Sequence, residues 1–419
     1  MTDFQVSPRV LANGVTVLLE PIPFVRSASA GVWIRTGSSN ETPALSGVSH
    51  LLEHLLFKGT SARTARQIVE GIESRGGYIN ASTSRDYTNI YVKTLDTNLA
   101  TALDIMADVI KDSQLLDFDK ERNVVLEEIA SSDDVPDEYV HDLFSVRFWP
   151  EQAMGRPIAG TQASVEGLTL DQVRAYYRSR YTGENIIVSI AGSFDEAAVL
   201  AQVEALFSDV PASAETELPK EAAAFGAGVY QEERDITQQH VIFGFPGVHA
   251  DDSKRFIYEL MASTLGGGFT SRLFSKIRED AGLAYSIYAF NYCYCRSGML
   301  GVYAAVAPEN LVQATDLAFG ELRDVRENLL SDDELAMNKE QLKGSFLMAL
   351  ESTFSRMTRM AKSILHRDRV MSVEEIVDGI DAVTAEAVRD LAQDLFQSER
   401  CMLTALGPEG HAMPENVSL

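Results

Sequence analysis

The chain has 419 residues, 45% of them apolar and 23% charged, the mix of an ordinary soluble globular protein large enough for two to four domains. With 36 Lys and Arg against 61 Asp and Glu, its formal charge is −25, which disfavours nucleic acid and anionic membranes as partners. No apolar run approaches the roughly 18 residues of a membrane span, and the N-terminus carries neither a secretory signal nor an Arg- and Ser-rich transit peptide. The expectation is therefore a cytoplasmic protein, bacterial by preference over the mature form of a mitochondrial matrix protein. Three cysteines, Cys293, Cys295 and Cys401, are too few for a disulfide framework and suit a reducing compartment. Cys293 and Cys295 have no second Cys/His pair nearby, so they read as strand packing and not as a metal pair.

In chain order, Val15–Leu19 and Ser29–Thr36 are rich in β-branched residues and read as strands. From Ala44 the period changes: Leu45, Val48, Leu51, Leu52, Leu55 and Leu56 recur at helical spacing, and Gly59 closes the helix. A short helix follows at Ala65–Ser74, then a hairpin over Tyr78–Leu95 turning near Arg85 and Asp86. Helices are predicted at Leu99–Lys111 and Asp117–Ser131, with more after Pro136 and Pro150. A buried-type strand at Ile186–Ala191 precedes a helix ending near Phe207. Ser208–Gly228 has no period and contains Pro211, Pro219, Gly226 and Gly228, so it reads as a linker at the chain midpoint.

The midpoint linker prompts a search for a repeat. Ala102-Leu-Asp104 resembles Ala314-Thr-Asp316, 212 residues on, and Ile68–Ser84 resembles Leu273–Ala289. The helix Phe256–Leu265, ending at Gly266-Gly-Gly268, takes the place of Leu51–Gly59. The reading is an α+β protein of two copies of one unit: a domain over residues 1–210, a linker over 211–228, and a homologous domain over 229–419. The three glycines lack the Lys-Ser/Thr of a phosphate loop and read as a helix-ending turn.

The sharpest chemical pattern is His50-Leu-Leu-Glu53-His54 within the apolar helix. Imidazoles at i and i+4 share a face and can hold one zinc ion, and Glu53 lies beside them to take a proton from an activated water. The order is that of the inverted zincin motif. Polar groups on a helix otherwise lined by leucines need partners, which a metal supplies. A third ligand is offered by the helix carrying Glu121 and Glu128, seven residues apart on one face: Glu128 for the ion, Glu121 to orient a histidine. The other histidines, His141, His240, His249, His366 and His411, lack paired spacing and read as structural or exposed.

His50-Leu-Leu-Glu53-His54, followed 74 residues later by Glu128 within Glu121-Arg-x5-Glu128, resembles the pitrilysin family of zinc metallopeptidases. Phe57-Lys-Gly-Thr60, Gly76–Ser84 and the second-half segment Arg278-x6-Tyr285 resemble it too, and the length is that of its half-length, processing-peptidase-like branch. The resemblance implies two homologous α/β domains, each a mostly antiparallel sheet packed with helices, paired into a clamshell dimer. It implies one zinc per chain on His50, His54 and Glu128, Glu53 as general base, and Glu121 behind a ligand. Asn80 and Ala81 would lie on an edge strand that pairs with peptide backbone. Arg278 and Tyr285 would grip the substrate and stabilise its oxyanion, although by pattern alone Tyr285 reads as strand core. Glu259, Ala262, Ser263 and Gln341 stand where the second copy would need ligands, so that copy has no metal set. The implied activity is endopeptidase cleavage of peptides or unfolded segments inside a closed chamber. One chain carrying both the zinc set and the Arg/Tyr pair favours a homodimer with composite sites. The alternative is a noncatalytic or processing-type subunit that recognises peptides in a heterodimer.

Overall fold

The computed structural model describes residues 6–213 and 224–411, with 414, 417 and 419. Residues 214–223 of the expected linker lie outside the described residues. The first half of the chain forms β1 (Arg9–Val10), β2 (Thr16–Pro21), β3 (Ser27–Ile34), α1 (Val48–Leu56), α2 (Ala65–Glu73), β4 (Tyr78–Thr83) and β5 (Thr88–Leu95). It continues through α3 (Leu99–Asp112), α4 (Phe118–Asp133), α5 (Pro136–Phe148), α6 (Gln162–Glu166), α7 (Leu170–Arg180), β6 (Ile186–Gly192) and α8 (Glu196–Phe207). The second half forms β7 (Gly228–Glu233), β8 (Gln239–Pro246), α9 (Arg255–Gly266), a π-helical segment (Phe274–Asp280), β9 (Ala284–Cys293) and β10 (Gly298–Val306). Then follow α10 (Leu311–Glu327), α11 (Asp332–Ala349), α12 (Thr353–Arg367), α13 (Val373–Asp381), α14 (Ala385–Leu395) and β11 (Met402–Gly407).

Two compact units result. One comprises Met1–Ile129, Arg156–Lys220 and Leu347–Ser372; the other comprises Ala130–Gly155, Glu221–Phe346 and Val373–Leu419. The first holds a sheet of order β1-β2-β6-β3-β5-β4, the second a sheet of order β7-β11-β8-β10-β9. Leaving out β1, the orders correspond strand for strand. In each, one pair is parallel (β2 with β6, β11 with β7) and the remaining pairs are antiparallel. The two copies read from the sequence are therefore two α/β units of one mixed, mostly antiparallel topology.

Each sheet is covered on both faces, which explains why its central strands are mostly apolar: every residue of β6 is buried, and Ser189 is its one hydroxyl. In the first unit, Leu51, Leu52 and Leu55 of α1 and Ile105 and Val109 of α3 share one core with Val32 and Val188 of the sheet. The opposite face, with Leu18, Trp33 and Ile187, is covered by Met357, Met360 and Ile364 of α12. In the second unit the mirror role falls to α5, whose Val140, Phe144 and Phe148 pack on Ile242 and Leu406. Following chain order, α5 and α12 are counterparts in the repeat, and each is packed within the unit built mainly from the other half. Each such buried aliphatic or aromatic side chain contributes about 1.5–3 kcal/mol, so neither sheet retains its second cover without the other half of the chain.

The strand reading of Cys293 and Cys295 changes in detail: both are half-buried, Cys293 ending β9 and Cys295 lying beyond it in the turn to β10. The core-strand reading of Tyr285 is overturned. It sits second in β9, the edge strand of its sheet, and is 77% exposed.

Candidate active site

Helix α1 runs for nine residues with Val48, Leu51, Leu52, Leu55 and Leu56 fully buried. That apolar stripe docks the helix and leaves the strip of His50, Glu53 and His54 facing α4 and β4. The two imidazole rings stand edge to face with centroids 4.9 Å apart. Glu128, from the middle of α4, brings Oε2 to 3.4 Å from His54 Nε2 and 3.8 Å from His50 Nε2. One ligand atom from each of the three residues lies within 4.8 Å of the others.

These donors fit a zinc ion. Bonds of about 2.0–2.2 Å in tetrahedral geometry place ligand atoms about 3.3–3.6 Å apart, close to the spacing found. Burial, with His54 beside it, holds the His50 imidazole down at about 4, so it is neutral at physiological pH and its lone pair is available. Three protein donors of two imidazoles and a carboxylate leave a coordination position open, the pattern of a catalytic site.

Glu121, one turn into α4 and 3% exposed, points its carboxylate at His54: Oε2 is 3.6 Å from Nδ1. Its other oxygen is held by Lys58 Nζ at 2.9 Å. A buried carboxylate is costly without a partner, and Lys58 supplies one. Sequence reasoning missed Lys58, although its position four residues after His54 is a usable signal. Glu53 accepts a hydrogen bond from Thr83 Oγ1 at 2.6 Å, which ties α1 to the end of β4. Burial raises the Glu53 carboxyl above the ordinary glutamate value. Thr83 was not legible either, since its role depends on where β4 ends.

Asn80 and Ala81 lie in β4, the edge strand of the first sheet. Ser84 N–H donates to Tyr87 O at 2.8 Å, and Asn80 stands opposite Tyr91. Antiparallel pairing alternates, so hydrogen-bonded positions fall at 84, 82 and 80, and the backbone of Ala81 faces outward from the edge. The outward N–H of Ala81 is met by the Asn80 side chain, Oδ1 at 2.9 Å.

Arg278 and Tyr285 belong to the second unit, and the structure brings them together: the guanidinium is 4.7 Å from the Phe274 ring centre and 5.7 Å from that of Tyr285. Near them a cavity of about 690 Å³ is lined by His141, His240, Tyr285, Tyr288 and Tyr303 among others. There His141 Nε2 lies 3.0 Å from Tyr288 OH and His240 Nδ1 lies 2.9 Å from Tyr303 OH. The two histidines, dismissed for lack of paired spacing, are neighbours only through the packing of α5 on β8. In the second unit the positions that correspond to His54 and Glu128 enter hydrogen-bonded contacts instead: Ser263 Oγ hydrogen-bonds Asn338 Oδ1 at 3.0 Å, and Gln341 Nε2 donates to Gly267 O at 3.3 Å.

Residues 16–162 match the family model described as insulinase, peptidase family M16, and residues 167–342 match the model described as peptidase M16 inactive domain. An uncharacterized zinc protease of Streptomyces coelicolor is 39% identical over 95% of this chain and 88% of its own length. An uncharacterized zinc protease of Bacillus subtilis is 37% identical over 95% of this chain and 97% of its own. Among solved structures, a protease from Helicobacter pylori superposes with a TM-score of 0.92 at 21% identity, covering 97% of this chain and 100% of that one. At that identity the likeness concerns the fold.

Proposed function

The chain belongs to the insulinase family, peptidase family M16, and on that premise we propose that it is a zinc-dependent endopeptidase acting on peptides or unfolded segments. The observation that carries the reading is the convergence of His50, His54 and Glu128, with Glu53 beside them and a sheet edge next to Glu53. His50, His54 and Glu128 would hold one zinc per chain, and Glu121 would orient His54. When bound, zinc would supply Lewis acidity to a water molecule and to the scissile carbonyl.

The remaining chemistry falls to the chain's own groups. Glu53 takes the proton of the attacking water and passes it to the leaving amine. Its raised pKa brings it nearer neutrality, where a carboxylate is a stronger base. The Thr83 hydroxyl keeps the Glu53 carboxylate in one orientation. The outward backbone of Ala81, with Asn80, pairs with an extended peptide, which gives affinity with little demand on sequence. Arg278 grips the substrate, and the exposed phenol of Tyr285 donates to the developing oxyanion. Because one chain carries both the zinc set and the Arg/Tyr pair, the active form proposed is a cytoplasmic homodimer with composite sites facing a closed chamber.

A second reading is a noncatalytic or processing-type subunit. The description of residues 167–342 as an inactive domain favours it, but that span excludes every residue of the zinc set. The test is cleavage of a quenched fluorescent peptide library by wild type and by Glu53→Gln at equal zinc content. Cleavage by wild type and a loss of about 10²–10⁴-fold in the variant support the peptidase. Two zinc-loaded proteins that both fail to cut would sink it in favour of the subunit reading.

A further inference from the structure

The start of α1 is capped in an unusual way. Its N-cap is Gly47, at φ +90°, so close to the Ala159 carbonyl that a Cβ would come within 2.5 Å of that oxygen. No side chain fits there, and the customary Ser, Thr, Asp or Asn cap is excluded. The orphaned amides are instead satisfied from outside the helix. Glu41 Oε2 accepts from Gly47 N–H and Oε1 from Ser49 N–H, both at 2.8 Å.

Glu41 is 2% exposed, an expensive place for a carboxylate with nothing to do. It is fixed in turn. Arg156 donates to its backbone carbonyl. Ser49 Oγ, one residue before His50, is 2.9 Å from Tyr176 OH, and that phenol is 2.9 Å from Thr36 Oγ1. Tyr176 lies on α7 and Thr36 just beyond β3, so the first turn of α1 is referenced to three other segments of the unit. A nine-residue helix has few bonds of its own to resist tilting. A small tilt at its start would move both imidazoles relative to Glu128, which stands on a different helix.

We propose that Glu41 is a positioning residue for the metal ligands: by capping α1 from outside, it sets where His50 and His54 stand against Glu128. This rests on the zinc reading above. Gln at this position keeps one acceptor and turns an NH2 toward the second amide, leaving that N–H unsatisfied.

The test compares wild type, Glu41→Gln and Glu20→Gln. Glu20 is the control, a buried carboxylate of the same unit that pairs with Arg356 and does not touch α1. Hydrogen exchange at Gly47–Leu51 is measured on the zinc-free proteins, and zinc affinity by chelator competition. The proposal expects Glu41→Gln to exchange at least tenfold faster at those amides, to bind zinc at least tenfold more weakly, and to lose kcat at saturating zinc with KM unchanged. Glu20→Gln should lower the melting temperature and move none of these. Zinc affinity within twofold of wild type in Glu41→Gln, or an equal loss in Glu20→Gln, overturns the proposal. Should Glu41→Gln fail to fold, Tyr176→Phe takes its place, with about a threefold loss of zinc affinity expected and an unchanged value overturning it. Absence of zinc binding by wild type overturns the metal reading and this inference together, whereas wild-type binding with unaltered variant affinity overturns this inference alone.

Discussion

At the scale of single residues, the site is a set of ionisable groups in which burial and named neighbours oppose each other. Glu41 shows the balance. Burial pushes its carboxyl up to about 7 although two amides and Arg156 oppose the shift. A carboxyl raised in the folded state adds stability that is fully present below its unfolded value of 4.5 and is lost as pH rises through about 7. His50 and His366, both held near 4 by burial, act in the opposite sense over part of the same range: their neutral forms are favoured on folding, and stability rises with pH up to the unfolded value of 6.5. The difference between wild type and Glu41→Gln therefore isolates the carboxyl. The prediction is that urea midpoints of the zinc-free wild type fall relative to those of the variant between pH 4.5 and 7.5, by an amount worth about 3 kcal/mol at most. A difference that is flat with pH would mean that the carboxyl titrates normally.

At the scale of elements, helix α1 and the edge strand β4 do separate jobs, and a substitution can reach one without the other. The Ala81 N–H faces away from β5, so a proline there removes an outward donor while leaving the ladder between β4 and β5 in place. Ala81→Pro should raise KM for extended peptides about tenfold, with zinc affinity and melting temperature near wild type. An unchanged KM would show that substrates do not pair with this edge. The helix and both glutamates of α4 were legible in the sequence because their spacing is local: i to i+4 in α1, and seven residues from Glu121 to Glu128. In the first half the order of strands and helices was largely legible too, since periodicity changes from about two to about 3.6 where a strand gives way to a helix. What escaped is what depends on contact between distant segments. Lys58 on Glu121, Thr83 on Glu53, and Glu41 on the start of α1 are brought in by tertiary packing. His141 and His240, 99 positions apart in the chain, become neighbours only when α5 covers β8. Tyr285 was misread because an edge strand and a central strand share the same alternation.

At the scale of the whole molecule, the two copies keep one topology but carry different side chains at corresponding places. The first copy gathers His50, His54 and Glu128 on α1 and α4, a group that could hold a metal ion. In the second, Ser263, Asn338 and Gln341 turn the same helix pair into a hydrogen-bonded contact, while Arg278 is half-buried on the π-helical segment and Tyr285 is exposed on the edge strand. Each copy thus carries what the other lacks, and the proposed homodimer joins the zinc set of one chain to the Arg/Tyr pair of its partner. Mixing two inactive variants tests this. In a mixed dimer of Glu53→Gln and Tyr285→Phe chains, one composite site carries both lesions and the other carries neither. Random reassortment makes about half of the dimers mixed, and half of their sites are intact, so about a quarter of wild-type activity should return. If instead each chain completes its own site, every site in the mixture keeps one lesion and activity stays at the level of the two variants alone. Size-exclusion chromatography with light scattering, run on the same samples, shows whether a dimer is present to reassort.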